Sequence, residues 1–567
     1  VTARLPLTPV AAALAGVALF FFLFDPRLLD PGYVAWLMDG DPGTMYLGWR
    51  FFRAEDWGWP PGAMHAYGLD IASSIVYTDS IPLAALPAKL ISSWLPTTFQ
   101  YFGWWMLACY ALQGWFGGML ADLAAERPLQ RLAIALIFVA SIPVMDRAIG
   151  HYALMSHWLV LWALWLALRP HREHATLAWT AVACLASLVH AYLLYLVLAV
   201  WVADIVRRRH FDPEPRTSFA AAFRHVVVVG IALWIVMTIA GYFTLPRSAI
   251  SGGVEYYGRF ATNLNAFVNP QWGSRFLPNW PVIPGSELEG QAYLGLGVLV
   301  LLAVALIALL KPGGPSIDWK PYVPLIVVSI GLLALAITHK VALGDRVLVE
   351  LPVPDKLLDT LATLRASGRL AWVAFYGLIF AAGTIVATRF TPFAGTVIII
   401  GALVLQALDL SPRFEKMREY FADRTIAVPA KRASPLASPF WAEAAKDYRI
   451  IRVAPAANMA RGWLWFGQLA ADHGMAVNTG LVARVDSRGL SRANEALASR
   501  LKDGPLAADT LYVLWSPEQK FAWTIGPDDG VAFIDGFVVI APGWFTKPRG
   551  SIAPHALTRG PMTGVSP

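Results

Sequence analysis

The sequence predicts a polytopic α-helical membrane protein that ends in a small α/β domain. Three observations predict it. Of the 567 residues, 57% are hydrophobic and 15% charged, against about 25% charged in an ordinary soluble domain. Residues 5–24, 293–310 and 371–387 are apolar over lengths that approach or match a bilayer core. Beyond about residue 410 the pattern changes to short alternating or apolar runs separated by turn residues, as strands require. A large soluble enzyme is thereby excluded.

Residues 5–24, preceded by Arg4, read as an uncleaved anchor. A secretory signal peptide would have a shorter apolar core and a small-residue cleavage site, whereas Phe20, Phe21, Phe22 and Phe24 are bulky. Further spans are expected at residues 101–123, 132–144, 152–168, 175–189, 190–206, 226–243, 292–310, 322–338, 371–388 and 392–408. With the anchor they make about 11 transmembrane helices. Residues 81–95 are apolar but interrupted by Pro82, Pro87 and Lys89.

Charge decides how that segment lies. If it stays on the outer surface, the loops holding Arg127 and Arg131, Arg169 and Arg172, residues 207–209, Lys311 and Lys320, and Arg389 all face the cytoplasm. If it spans, each moves outside, against the positive-inside rule. The segment is therefore expected to be interfacial or re-entrant. The N-terminus is then cytoplasmic, and everything after residue 408 is extracytoplasmic, as in a bacterial inner-membrane protein with a periplasmic domain.

The expected organisation is a transmembrane part at 1–410 with large outer loops 25–100, 246–291 and 339–370. A charged, Pro- and Ser-punctuated linker at 411–437 leads to an extracytoplasmic α/β domain at 438–545 and a frayed tail at 546–567. In that domain strands are expected at 448–454, 480–485 and 510–514 and helices at 459–473 and 491–501, with a weak cap from Ser491, Asn494 and Glu495. A hairpin is expected where 523–525 and 531–534 flank Gly526-Pro527-Asp528-Asp529-Gly530, in a sheet of three to five strands.

The net charge of +7 is not a nucleic-acid footprint, because the basic residues fall in short loops. Twenty-four Trp, 18 Tyr and 29 Phe suit a chain with two membrane interfaces to anchor. Cys109 and Cys184 lie inside apolar segments and act there as small hydrophobes, so no disulfide framework exists beyond that one pair.

The first outer loop carries the densest polar set, Met38-Asp39-Gly40-Asp41-Pro42-Gly43-Thr44-Met45, followed by Trp49, Arg50, Phe52 and Arg53. Pro42 suits the first turn of a helix. Met45, Trp49 and Phe52 would form its apolar face beside Arg50 and Arg53, the pattern of a helix lying in the headgroup plane. On a functional reading Asp39 or Asp41 is a general base and the arginines clamp an anionic headgroup. Two close carboxylates also raise one another's pKa or share a metal. On the plain reading the aspartates only start a helix. Asp79, in Val76-Tyr77-Thr78-Asp79-Ser80-Ile81-Pro82, either joins that site or caps the helix that follows.

His151 and His157 flank the entrance of one span, and His190 begins another. Six residues apart, the first two do not share a helical face, which argues against a two-histidine metal site. An ionisable group at membrane depth is a functional candidate by default, although neutral imidazole is cheap to bury. Asp146 and Arg147 beside them read as a structural pair. Arg369, in Arg365-Ala366-Ser367-Gly368-Arg369, stands where the chain re-enters the membrane on the outer side, where sorting calls for no positive charge. It either contacts phosphate bidentately, with Arg365 in support, or snorkels to lipid. Glu255, Tyr256, Asn263, Asn265, Trp272, Trp280 and Glu287 of the second outer loop suit sugar binding, and equally an ordinary interfacial loop. No Walker-type phosphate loop, HExxH, cysteine-based metal site or Gly-x-Ser-x-Gly elbow is present. An ATP-driven pump and a zinc protease are poor fits.

One anchor, then a large outer loop with Met38-Asp39-Gly40-Asp41, a surface helix, and Tyr77-Thr78-Asp79-Ser80-Ile81-Pro82, resembles the GT-C superfamily of polytopic glycosyltransferases. Gly150-His151 and Ser367-Gly368-Arg369 resemble uncharacterised bacterial members. The resemblance covers roughly residues 1–410 and rests on layout. It implies transfer of a sugar from a polyprenyl-phosphate-linked donor to an acceptor hydroxyl of a glycan, glycolipid or protein, with inversion. It implies Asp41 as base, with Asp39 the close rival, and Arg369, Arg50 and Arg53 as holders of the donor phosphate. Some members require a divalent metal, Mg2+ or Mn2+. Here Asp41 and Asp79 would be its ligands, since no second acidic motif stands on a later outer loop unless Glu255 serves. Neither ATP nor nucleic acid is implied as a partner. Two rivals remain: a lipid-linked glycan flippase or transporter, which predicts polar residues at mid-span, and a non-catalytic cell-envelope assembly protein.

Overall fold

A computed structural model describes residues 7–71, 74–169, 175–212, 216–246, 249, 257–287, 289–311, 317–427, 434–515, 522–546, 557–560 and 562–565. In chain order the first helices are α1 (Leu7–Leu23), α2 (Gly40–Ala54), α3 (Pro82–Leu90), α4 (Phe102–Ala124), α5 (Pro128–Val139), α6 (Ile142–Arg147), α7 (Trp158–Leu168), α8 (Ala175–Val189), α9 (Ala191–Val206) and α10 (Phe219–Ala240). Then come α11 (Leu296–Leu310), α12 (Val323–Ile337), α13 (Asp355–Leu361), α14 (Trp372–Arg389), α15 (Pro392–Asp409) and α16 (Ser411–Ala422). The chain forms two compact units. One comprises Val1–Tyr33, Thr98–Val236 and Ser251–Ala427, the other Val34–Thr97, Met237–Ile250 and Val428–Pro567.

The first unit is helical, and the described helices occupy each segment expected to span. By length and composition, five described helical stretches are able to cross a membrane: Pro128–Arg147, Phe219–Ala240, Lys320–Ile337, Ser367–Arg389 and Pro392–Asp409. Leu7–Leu23, Tyr152–Leu168, Ala175–Val189 and Leu296–Leu310 are apolar but shorter. Without tail–water contrast between helices inside a bilayer, packing has to come from close backbone approach. The α1–α4 contact shows this. A Cβ on Gly114 would lie 2.1 Å from the Ala12 carbonyl oxygen, and one on Gly118 would lie 2.6 Å from Pro9 Cα. Across α10 and α12, by contrast, Phe223, Ile231, Trp234, Val327 and Ile330 are exposed, as a lipid-facing surface requires. Cys109 and Cys184 are both free thiols.

The second unit is built on a sheet. Its strands are β3 (Ile450–Ala454), β4 (Ala476–Val477), β5 (Thr510–Leu514), β6 (Ala522–Ile525), β7 (Gly530–Ile534), β8 (Phe537–Ala541), β9 (Thr558–Arg559) and β10 (Met562–Val565), β1 (Lys340–Leu343) and β2 (Arg346–Glu350) being a hairpin of the first unit. Six strands run in the order β4-β3-β5-β8-β7-β9, and β10 pairs with β6 separately. Helices α17 (Phe440–Asp447), α18 (Trp463–His473) and α19 (Ser487–Asp503) accompany them.

Several local expectations are corrected here. The sheet has six strands rather than three to five, and residues 480–485 form no strand. The last helix starts at Ser487 rather than Ser491, because Asp486 caps it by accepting from the Arg488 amide at 3.2 Å. Residues 523–525 and 531–534 do not pair. The hairpin is β7–β8, turning at Asp535 (φ 48°) and Gly536 (φ 86°), the Asp-Gly pair that a two-residue turn of this hand favours. Asp529 instead ties its own loop, accepting from the Gly526 and Gly543 amides at 2.7 Å each.

Much of the segment 25–100 belongs to this second unit, which takes in Val34–Thr97. Residues 66–69 lie along the outer edge of β4, with the Gly68 and Leu69 amides donating to the Val477 carbonyl and the Val477 amide to Ala66. That pairing covers an edge strand that would otherwise present open backbone groups. Arg452 on β3 meets Asp70 at 2.9 Å. Helix α3 has nine residues, which at 1.5 Å per residue is about 14 Å and too short to cross a bilayer.

Candidate functional site

In the first unit the chain ends α6 with Arg147, and a short 3-10 turn, Ser367–Ala371, leads into α14 with Arg369 inside it. Both guanidiniums converge on Glu289. Arg369 reaches its two oxygens at 2.8 Å each, Arg147 stands at 2.9 Å and His151 Nε2 at 3.4 Å. The Tyr192 ring lies under Arg369, 4.7 Å from the guanidinium carbon. The Tyr192 hydroxyl in turn accepts from the Ala366 amide at 2.7 Å. Gly368 is required by this approach, since a Cβ there would sit 2.5 Å from the Glu289 carbonyl oxygen.

Burial by itself would raise the Glu289 carboxyl, but the Arg147 and Arg369 guanidiniums outweigh it and hold the group well below the usual carboxylate range. Among the described residues, two guanidiniums and the His151 imidazole meet this one carboxylate. The fork geometry that takes a carboxylate bidentately also takes two oxygens of a phosphate.

Along α14 from this cluster runs an apolar groove of about 320 Å3, lined among others by Leu164, Phe267, Leu333, Ala374, Leu378 and Ile385. Its α14 residues, Ala374 to Ile385, cover about 16 Å at the helical rise.

The expectation that Asp146 and Arg147 pair with each other is not met. Asp146 pairs with Arg413 of α16, both side chains fully buried. Arg413 also donates to the Pro270 carbonyl at 3.1 Å and stacks on Trp272. Adjacent residues at a helix end point about 100° apart, so they serve two different clusters. His157 is buried, with its Nδ1 2.9 Å from the Tyr376 hydroxyl and its ring 4.1 Å from that of Trp372. His190 caps α9, accepting from the Tyr192 amide at 3.1 Å. Asn263 is a loop fastener, exchanging bonds with Gly344 at 2.7 and 3.0 Å. Arg365 is half-buried. Glu255 and Tyr256 lie outside the described residues.

In the second unit, Asp39 stands at the N-cap of α2 in extended conformation and makes no capping side-chain bond, while Asp41 sits exposed in the first turn. The helix does not lie with one face open, as its amphipathic pattern predicted. Residues 42–49 are buried, because α18 packs on it tightly. A Cβ on Gly43 would meet Leu464 at 2.7 Å, and one on Gly467 would meet Leu47 at 2.7 Å. Arg50 is held by Asp472 at 2.5 Å and the Ala471 carbonyl at 3.2 Å. Arg53 gives its donors to Ser92 Oγ and the carbonyls of Ser92, Leu95, Pro96 and Thr97.

Asp79 does not cap α3. It sits in the left-handed region at φ 53°, with Ile81 also at φ 55° and occupying the N-cap. Such residues cost about 1–3 kcal/mol each and persist only where the surroundings hold them. Here Ser80 Oγ donates to the Met45 carbonyl of α2 at 2.7 Å and meets Thr78 Oγ1 at 2.8 Å. Gly48 leaves room for both, since a Cβ there would lie 2.3 Å from Thr78 Oγ1. The Asp79 turn is thereby pinned to α2 at Met45, about one turn beyond Asp41. Among the described residues no three His, Cys, Asp or Glu side chains converge as a metal site would need.

Glu289 is the residue that the sequence did not single out. A lone carboxylate in a loop rich in amides and aromatics carries no spacing signal, and its partners stand about 140 and 80 positions away.

Among solved structures, that of ArnT from Cupriavidus metallidurans bound to undecaprenyl phosphate is similar over 96% of this chain and 99% of that chain, with 13% sequence identity and a TM-score of 0.40. At that score the likeness does not define a shared fold. No curated protein matches the sequence. Residues 13–411 match the family described as "Domain of unknown function (DUF6311)" and residues 440–542 its "DUF6311 C-terminal domain". The chain belongs to the DUF6311 family.

Proposed function

We propose that this membrane protein is a glycosyltransferase of GT-C type that moves a sugar from a polyprenyl-phosphate donor to an acceptor hydroxyl on the extracytoplasmic side of the bacterial inner membrane. About eleven spans with a cytoplasmic N-terminus belong to the same proposal. The observation that carries it is the pair of guanidiniums, Arg147 and Arg369, brought together on Glu289 at the head of α14, with an apolar groove along the same helix. A polyprenyl phosphate has the matching parts, an anionic head and a long apolar chain.

In this reading Arg369 and Arg147 bind the donor phosphate and stabilise the charge that grows on it as the glycosidic bond breaks. Asp41 takes the proton of the attacking hydroxyl, with Asp39 as the rival base and Asp79 as a further candidate. In-line displacement at the anomeric carbon inverts its configuration. The acceptor is a glycan, glycolipid or protein.

Transfer from a panel of radiolabelled polyprenyl-phospho-sugars, by the purified protein in lipid nanodiscs with membrane extract as acceptor, tests the reading. Turnover by the wild type, abolished in Asp41→Asn with donor binding intact and weakened binding in Arg369→Ala, is the expected result. Donor binding without turnover for every sugar would overturn it in favour of lipid flipping. Equal activity in Asp41→Asn and Asp39→Asn would remove the assignment of the base.

A further inference from the structure

We propose that the polar cavity at the ends of α8, α9 and α10 binds the phosphate group of an anionic membrane lipid. It lies at the opposite end of α9 from Tyr192 and does not depend on the transferase reading. The cavity holds about 290 Å3 and is lined by Thr176, Arg208, Thr217, Arg224 and His225.

Its electrostatics are those of an anion site. Arg208 is buried and positioned by Asp204 at 2.7 Å, and Arg207 pairs with Asp212 at 3.2 Å. Arg224 is exposed, and among the described residues no carboxylate pairs with it. The wall therefore carries a net positive charge through Arg224.

The hydrogen bonding also leaves donors facing the space. Trp201 Nε1 is a donor only, and it stands 2.7 Å from His225 Nε2, which must accept. The imidazole proton is then on Nδ1, which donates to Thr176 Oγ1 at 2.9 Å. Thr176 keeps its own hydroxyl proton for the cavity that it lines, beside the guanidiniums of Arg208 and Arg224. Donors predominate, as an acceptor-rich phosphate requires.

The source of the phosphate follows from the surroundings. Phe219, Phe223, Val226 and Val227 of α10 are exposed on either side of Arg224. Acyl chains lying on that face bring a headgroup to the arginine. The positive-inside reading puts this end of the helices at the cytoplasmic interface, where basic pockets between helices meet anionic headgroups.

The test is native mass spectrometry of the full purified chain exchanged into equal phosphatidylglycerol and phosphatidylcholine. The wild type is expected to retain phosphatidylglycerol preferentially. Arg224→Ala is expected to lower that retention about fivefold, the usual effect of one arginine at an anionic surface, and Thr176→Val to lower it less. Arg389→Ala, at another basic loop, serves as the control and is expected to change nothing. Both test residues avoid the buried Arg208–Asp204 pair, and a melting temperature equal to wild type shows that they fold. Equal retention by Arg224→Ala and wild type would overturn the proposal. Release of the bound lipid by millimolar inorganic phosphate would overturn the lipid assignment in favour of free phosphate.

Discussion

Two neighbouring residues at the end of α6 feed two buried ion clusters that are balanced differently. Asp146 meets Arg413 alone, one charge against one, with both side chains sealed from solvent. Arg147 shares Glu289 with Arg369, so two guanidiniums answer one carboxylate, and Glu289 stays 13% exposed. A neutral sealed pair has no charge left for a ligand. It ties α6, the loop before α11 and α16 together through Arg413, Pro270 and Trp272. The second cluster gathers more cationic side chains than carboxylates among the described residues, and it keeps some access. The ratio of charges, rather than burial as such, separates a structural clamp from a candidate anion site.

Breaking the first pair should have the largest effect on the fold. Arg413→Ala leaves a buried carboxylate without its paired cation, and about 3–5 kcal/mol of stability should be lost. Detergent-solubilised protein should melt far lower, and the double variant Asp146→Asn, Arg413→Gln should recover part of the loss. Recovery is the sharper outcome, because it isolates the unpaired charge from lost packing.

The second cluster should respond in binding more than in stability. In Arg369→Ala, Glu289 keeps Arg147 and His151, so the chain should fold, while affinity for a polyprenyl phosphate falls at least about tenfold, the scale of a lost charge-assisted bond. Arg369→Lys should not restore it, because an ammonium cannot form the two parallel bonds. Titration of the two variants with polyprenyl phosphate decides this. A fall in stability as large as that of Arg413→Ala would erase the distinction between the clusters.

Acid titration offers a finer comparison. The folded Glu289 carboxyl lies below its unfolded value of about 4.3. Its contribution is therefore complete above that value and is lost as pH falls through the folded pKa. The stability difference between wild type and Glu289→Gln should hold steady from about pH 7 to pH 5 and shrink below about pH 4. Chemical unfolding at three pH values would show it. A difference that grew on acidification would contradict the two-arginine hold.

The smallest expected change, of opposite sign, concerns the left-handed aspartate. Asp79→Gly removes the backbone strain and should stabilise the protein by about 1 kcal/mol. If the Asp79 carboxylate serves the reaction, transfer should fall at the same time. Destabilisation measured by thermal melting would instead make that side chain a structural member of the turn.

The helices of the first unit were legible because a bilayer demands long apolar runs, and residues such as 371–388 and 392–408 have no other explanation. Arg369 drew notice from the sequence as a charge beside an apolar run, and the structure places it on Glu289. The hairpin was misplaced although its signal was present. Gly526-Pro527-Asp528-Asp529-Gly530 has more turn residues than Asp535-Gly536, but only the latter joins strands in register at the correct twist. The amphipathic pattern of α2 was equally real and led to the wrong surroundings. Periodicity shows that one face seeks apolar partners, but α18, some 420 residues away, covers the remainder.

The sequence by itself determined that the chain lives in a membrane, where its apolar segments lie, and which residues carry charge outside them. These are local properties, written in composition and in spacings of a few residues. Only the tertiary structure decided that Glu289 lies between Arg147 and Arg369, that Asp146 turns instead to Arg413, and that Ser80 holds the Asp79 turn against α2. Each joins positions 35 to 267 residues apart. Such contacts depend on which helices and loops meet in space, and no periodicity along the chain encodes that meeting.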